Sequence, residues 1–174
     1  IGRTFEESIH KAVRSLEIGT HRLLLKGAGE IADDALRTRL AKPDDERLFL
    51  VAEAFRRGWT LQDIQDLTSI DWWFLDKIER IVAFEDVIRR EPGLTAETLL
   101  KAKRMGFTDR AIAELRKEGQ GVTAAHADET AVREYRLQQG IKPVYKMVDT
   151  CAAEFEASTP YYYSTYETEN EVIP

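Results

Sequence analysis

A single cysteine, Cys151, leaves the chain with no means of forming an internal disulfide, which fits a reducing compartment. Histidine is nearly as scarce. His10, His21 and His126 share no metal-ligand spacing, and each reads as a polar residue on a surface helix face. No apolar run approaches the roughly 20 residues needed to span a bilayer, and no basic-then-apolar leader opens the chain. The expectation is a soluble cytoplasmic protein with no membrane partner. Positive charge is in deficit too, with 25 Lys and Arg against 31 Asp and Glu, a formal charge of −6. That balance works against binding a polyanion such as nucleic acid.

Recognisable chemistry is also lacking. Gly27-Ala28-Gly29 completes neither a dinucleotide nor a phosphate-loop fingerprint and reads as a loop. The carboxylate pairs Asp33-Asp34 and Asp44-Asp45 stand at predicted helix starts, where negative charge meets the positive end of the helix dipole. Cys151 has no histidine near it in sequence and reads as a small buried thiol. No catalytic, cofactor-binding or metal-ligating residue is therefore assigned, and no cofactor is expected in this segment.

What the chain has in abundance is helix punctuation. Thr4 and Glu7 have capping-box spacing before a predicted helix to Glu17, which Gly19 ends. Further helices are predicted over 32–40, 45–57 and 61–67, the last capped by Thr60. Asp71 caps a long one to about Arg90, stopped by Glu91-Pro92-Gly93. Thr95, Thr108 and Asp128 open predicted helices over 96–105, 109–117 and 128–139. Beyond Pro143, Val144–Val148 reads as one short extended piece. The fold class is all-α: an irregular multi-helix domain with helix-turn-helix-like hairpins and an extended C-terminal tail.

An internal echo reinforces this. Gly58-Trp59-Thr60, Ile64 and Leu67 recur as Gly106-Phe107-Thr108, Ile112 and Leu115. Each copy describes a helix ended by Gly, an aromatic packing back, a Thr cap, and Ile and Leu on the next helix. Such hairpins raise DNA binding through a helix-turn-helix as the alternative function. A recognition helix needs basic and polar side chains for phosphates and base edges. The candidate at Asp71 offers Trp72-Trp73-Phe74-Leu75 instead, and the one at 128–139 sets Arg133 and Arg136 against Asp128, Glu129 and Glu134.

The long helix is apolar round more than one stripe, so it is either central to the fold or shared with a partner surface. Trp72, Trp73 and Phe84 are the candidate interface residues, because large aromatics dominate interface energetics; filling the domain's own core is the competing role. The tyrosine-rich tail, Thr159–Tyr166, reads as a surface that packs against a neighbouring domain.

Several segments together resemble one family. Ile1-Gly2-Arg3-Thr4-Phe5-Glu6-Glu7-Ser8 is similar to the exit from the first ATP-grasp half of the carbamoyl phosphate synthetase large subunit. Leu67–Leu75 is similar to that family's middle helical region. The most specific match is Pro143-Val144-Tyr145-Lys146-Met147-Val148 followed by Asp149, Thr150, Cys151, Ala152, Ala153, Glu154 and Phe155, then Tyr163-Ser164-Thr165-Tyr166-Glu167. The resemblance covers almost the whole chain and is weakest over 20–40.

The resemblance implies a non-catalytic oligomerisation domain joining two ATP-grasp halves. Residues 1–17 would be the trailing helix of the first half, 18–158 the helical domain and 159–174 the lead towards the second half. Both ends then read as cuts within a longer chain. The parent enzyme makes carbamoyl phosphate from bicarbonate, glutamine-derived ammonia and two ATP, for arginine and pyrimidine synthesis. ATP and Mg would lie in the flanking halves. The implied partners are those halves, other large subunits and the glutaminase small subunit, with neither nucleic acid nor membrane among them.

Overall fold

The structure is a computed structural model that describes residues 1–119, 128–148, 150, 154–155 and 161–172. Among these residues eight α-helices account for nearly all regular structure. They are α1 (Phe5–Ser15), α2 (Asp33–Ala41), α3 (Arg47–Arg56), α4 (Leu61–Thr68), α5 (Trp72–Arg90), α6 (Ala96–Arg104), α7 (Asp109–Glu118) and α8 (Glu129–Gln138). A 3₁₀ turn at Ala28–Glu30 precedes α2, and two strands, β1 (Val144–Val148) and β2 (Tyr161–Thr165), follow α8.

The punctuation works as the side chains dictate. Thr60, Thr95, Thr108 and Asp128 each accept a hydrogen bond from the backbone N–H three residues on, satisfying a donor that the first turn leaves free. The Asp71 carboxylate takes the N–H of Trp73 at 2.8 Å. At α1 the capping box is only half made. Thr4 accepts from Glu7 N, but the Glu7 carboxylate turns to the N–H of Arg3 at 2.7 Å. Two boundaries differ from the sequence reading. α1 stops at Ser15 because Glu17 takes a left-handed conformation, φ 55°, two residues before Gly19. α3 starts at Arg47 because the Asp44 carboxylate folds onto the N–H of Glu46 and holds that stretch in a turn.

The repeated hairpin is real at the level of single hydrogen bonds. Trp59 N–H donates to Ala54 O at 3.0 Å and Phe107 N–H to Ala102 O at 3.1 Å, each across a glycine with positive φ. Both are the closing bond of a left-handed helix C-terminus. Gly106 does more than turn the chain. A Cβ there would sit 2.9 Å from the Glu7 Cα, so the glycine lets the α6–α7 turn lie against α1.

α5 is the hub, packing against α1, α3, α4 and α7. Leu75, Ile78, Ile81 and Ile88 from α5 are almost wholly buried, with Leu50 and Val51 of α3, Ile64 of α4, and Ile112 and Leu115 of α7 in the same core. The α5 C-terminus is closed by a buried cation. Arg116 donates to Ile88 O at 2.8 Å, to Glu91 O and to Pro92 O, taking carbonyls the last turn cannot satisfy.

β1 and β2 pair antiparallel, Val144 opposite Thr165 and Val148 opposite Tyr161. The extended tail is thus a hairpin, and its second strand was not predicted. The outer edge of β1 is covered by the returning chain. Asn170 Oδ1 accepts from Tyr145 N, Glu171 N donates to Tyr145 O, and Glu171 Oε2 accepts from Met147 N. Side chains standing in for a third strand remove an edge that would otherwise invite pairing. β2 is tied to the helices: Thr165 Oγ1 donates to the buried Glu7 carboxylate at 3.1 Å, and Arg104 donates to Tyr166 O at 3.0 Å.

Candidate functional site

The N-terminal end of α5 carries the most distinctive surface. Ser69, left-handed at φ 55°, ends α4, and Asp71 caps α5 two residues later, so the chain turns sharply and presents three aromatics in a row. Trp72, Trp73 and Phe74 are 48%, 52% and 46% exposed. Trp73 and Phe74 are packed against neighbours nonetheless. Trp73 meets Phe5 edge-on at 5.3 Å between ring centroids and Phe74 at 5.0 Å, and Phe5 meets Phe74 at 5.8 Å. Lys77 lies over the Trp73 ring at 5.5 Å. The result is an aromatic cluster braced by edge-to-face contacts, yet half open to water.

The same helix runs on into a groove. Arg80, Ala83 and Val87 line it with Lys101 of α6 and Met105 just beyond that helix, around a volume of about 560 Å³. Val87 is another exposed apolar residue on this stripe. Arg80, Lys101 and Arg104 outnumber Glu6 in its lining, so the groove is more positive than the acidic molecule as a whole.

Of the three predicted interface residues, Trp72 and Trp73 are on the surface and Phe84 is not. Phe84 is 6% exposed, 6.1 Å from the Phe107 ring, with Lys101 covering its outer side at 5.0 Å. On a helix whose neighbours sit one turn away, Phe84 falls on the inward stripe with Ile81 and Ile88, and the interface assignment is corrected to a core role. Phe74, which the sequence reading left out, takes its place in the patch. Only the two rings beside it and the common Asp71 cap hinted at this.

The family-signature segment is only partly described. Asp149, Cys151, Ala152 and Ala153 lie outside the described residues; Thr150, Glu154 and Phe155 are exposed. Tyr163 is half-buried, with Lys11 over its ring at 5.4 Å. Tyr166 packs under Lys103 and Arg136, at 5.2 and 5.6 Å from its ring, and burial raises its pKa.

Tyr166 covers a buried ionic triad that sequence reasoning missed. Asp109 accepts from Lys103 at 2.8 Å and from Arg136 at 3.0 Å, and Arg136 also donates to Ile141 O. Burial opposes the charge on Asp109, but the two cations outweigh it and hold its pKa below the ordinary carboxylate value. Burial likewise lowers the pKa of Lys103, with Asp109 pulling the other way. Arg136 is therefore spent inside the fold and is unavailable to a phosphate backbone, which removes half of the basic pair on the proposed recognition helix.

The histidine assignment also needs correction. His10 is fully buried, Nδ1 donating to Met105 O at 2.8 Å, so it is no surface residue. His21 lies half-buried in the loop after α1, and His126 falls outside the described residues. Among the described residues no group of three or more His, Cys, Asp or Glu is placed to hold a metal ion, and no helix is long and apolar enough to cross a membrane.

A set of capped helical hairpins around one long central helix, with a half-exposed aromatic patch at that helix's start, defines a mostly helical domain. Residues 1–140 match the family described as carbamoyl-phosphate synthetase large chain, oligomerisation domain, and the chain belongs to that family. The match ends at Gly140, where the last hairpin turn closes and before β1 begins.

Proposed function

We propose that this chain is the non-catalytic assembly segment of a carbamoyl phosphate synthetase large subunit. It joins the two ATP-grasp halves and mediates association between large subunits. The single observation that carries the reading is the trio Trp72, Trp73 and Phe74, held half-exposed on a capped helix end within a domain of this family. Exposed aromatic surface of this kind is worth most when a partner removes it from water.

In this reading the parent enzyme makes carbamoyl phosphate in the cytoplasm from bicarbonate, glutamine-derived ammonia and ATP. The glutaminase small subunit supplies the ammonia. ATP and Mg are bound by the flanking halves, and the segment contributes no ligand to them. Docking of β2 onto α1 and α6 supports the linking role, since it fixes where the chain leaves the helical domain.

Light scattering across a hundredfold concentration range is the test. The wild-type chain is expected to rise in molar mass with concentration, and Trp73→Ala to remain monomeric with its helical signal unchanged. A wild-type chain of constant monomer mass would overturn the self-association reading.

A further inference from the structure

A small cleft of about 180 Å³ lies where α1, the α6–α7 turn and β2 meet. Lys11 and Arg14 enter it from α1, three residues apart and so on one helix face. Lys103 enters from α6, and Thr108 and Ser164 line it from the α7 cap and from β2. Against these three cations the lining sets one carboxylate, Glu7.

Glu7 is already committed. Its Oε1 pairs with Lys11 at 2.8 Å, and its Oε2 accepts from Arg3 N and from Thr165 Oγ1. Arg14 donates to Gly106 O at 2.9 Å, and among the described residues no carboxylate lies within ion-pair reach of it. Lys103 reaches Asp109, but Asp109 must also serve Arg136, so positive charge is in surplus there too. Burial lowers the pKa of Arg14, with Glu7 opposing. It lowers that of Lys103 as well, and the neighbouring charge of Arg14 adds to the effect. Like charges held together in a partly buried cleft favour an anion that enters it.

Donors are also in hand. An ammonium has three N–H groups and a guanidinium five. Lys11 commits two, to Glu7 and to Ser164 O, while Lys103 and Arg14 commit one each. Thr108 Oγ1 accepts from Ala111 N, which leaves its own hydrogen to donate.

We propose that this cleft binds a small tetrahedral oxyanion, inorganic phosphate, through Arg14, Lys11 and Lys103. Charge favours a dianion, because three cations less one carboxylate leave two positive charges unmatched. Size favours the free ion. Pockets for organic ligands start at about 300 Å³, and this cleft is well below that. The guanidinium supplies the forked donors that suit phosphate oxygens, and the two ammonium groups supply point charges. Bound phosphate ties α1 to α6 beside the Lys11 contact with Ser164 O, and so strengthens the docking of β2. The site is separate from Trp73 and does not depend on self-association.

Calorimetric titration with sodium phosphate tests it, at mildly alkaline pH and at an ionic strength held constant with sodium chloride. The chain should take up phosphate saturably, and its melting midpoint should rise along the same curve. Arg14→Gln should weaken binding by about tenfold or more, the usual worth of a hydrogen bond to a charged group. Lys11→Gln should weaken it as well, and keeps the test open if circular dichroism shows the Arg14 variant unfolded. Arg110→Gln on the exposed side of α7 should bind as wild type does.

An absence of saturable uptake, or a midpoint shift that chloride alone reproduces, overturns the site. So does full affinity in both variants. Phenyl phosphate binding as tightly as phosphate overturns the free-ion assignment and makes the cleft a seat for the phosphoryl group of an ester. A chain that stays monomeric at every concentration leaves this inference untouched.

Discussion

His10 is fully buried within its own chain. Its Nδ1 donates to Met105 O and Glu6 O, its ring packs 4.6 Å from Phe107, and Nε2 is buried with no hydrogen-bond partner among the described residues. Burial lowers its pKa; Arg14 adds to that effect while Glu85 opposes it. The folded chain therefore resists protonation at a pH where the unfolded chain, with a free imidazole pKa of about 6.5, already accepts a proton. Stability is full above that value and is lost as the pH falls below it. Between about pH 7.5 and about pH 5.5 the melting midpoint should drop, and the drop should shrink in His10→Gln. Equal drops in both proteins would assign the acid sensitivity elsewhere. Asp109 makes a second prediction at this scale. Asp109→Ala strands Lys103 and Arg136 in the interior and should cost about 3 kcal/mol or more in urea unfolding. A loss near zero would mean that the two cations find water. Neither role was legible in the sequence, because His10 meets an acceptor 95 positions away and Asp109 a cation 27 positions away.

The two glycine turns separate local strain from tertiary fit. Gly58 and Gly106 both have positive φ, but a Cβ at Gly58 meets open space whereas one at Gly106 meets α1. Gly58→Ala should cost only the backbone term, about 1–2 kcal/mol. Gly106→Ala should cost distinctly more, about 3 kcal/mol, because α1 must also move away. Equal losses in thermal unfolding would show that α1 is not held against that turn. The helices themselves were readable almost throughout, since a threonine or aspartate cap and a following glycine are local signals that need no partner. β2 was not readable. Its alternation is blurred by Tyr161-Tyr162-Tyr163, and its partner β1 is set by a long-range register that no local pattern specifies.

For the molecule as a whole, the decisive contrast is between two aromatics on one helix. Phe84→Ala should cost about 3–5 kcal/mol of folding stability, because it opens a cavity beside Phe107. Trp73→Ala should cost less, about 1–2 kcal/mol for its edge-to-face contacts with Phe5 and Phe74, while removing association. A Trp73 variant that unfolds as badly as Phe84→Ala would make the patch part of the core. The sequence by itself determined the helical class, the order and caps of the helices, the repeated hairpin and the family, because each of these is written in short-range spacing. Which face of α5 is inside was decided only in three dimensions. α5 is apolar round most of its circumference, so its own periodicity could not choose, and the choice fell to the four helices that pack against it. Phe107 and Lys101 cover Phe84, while Trp72, Trp73 and Phe74 stay half open to water, because burial is a property of what surrounds a side chain and not of the side chain alone.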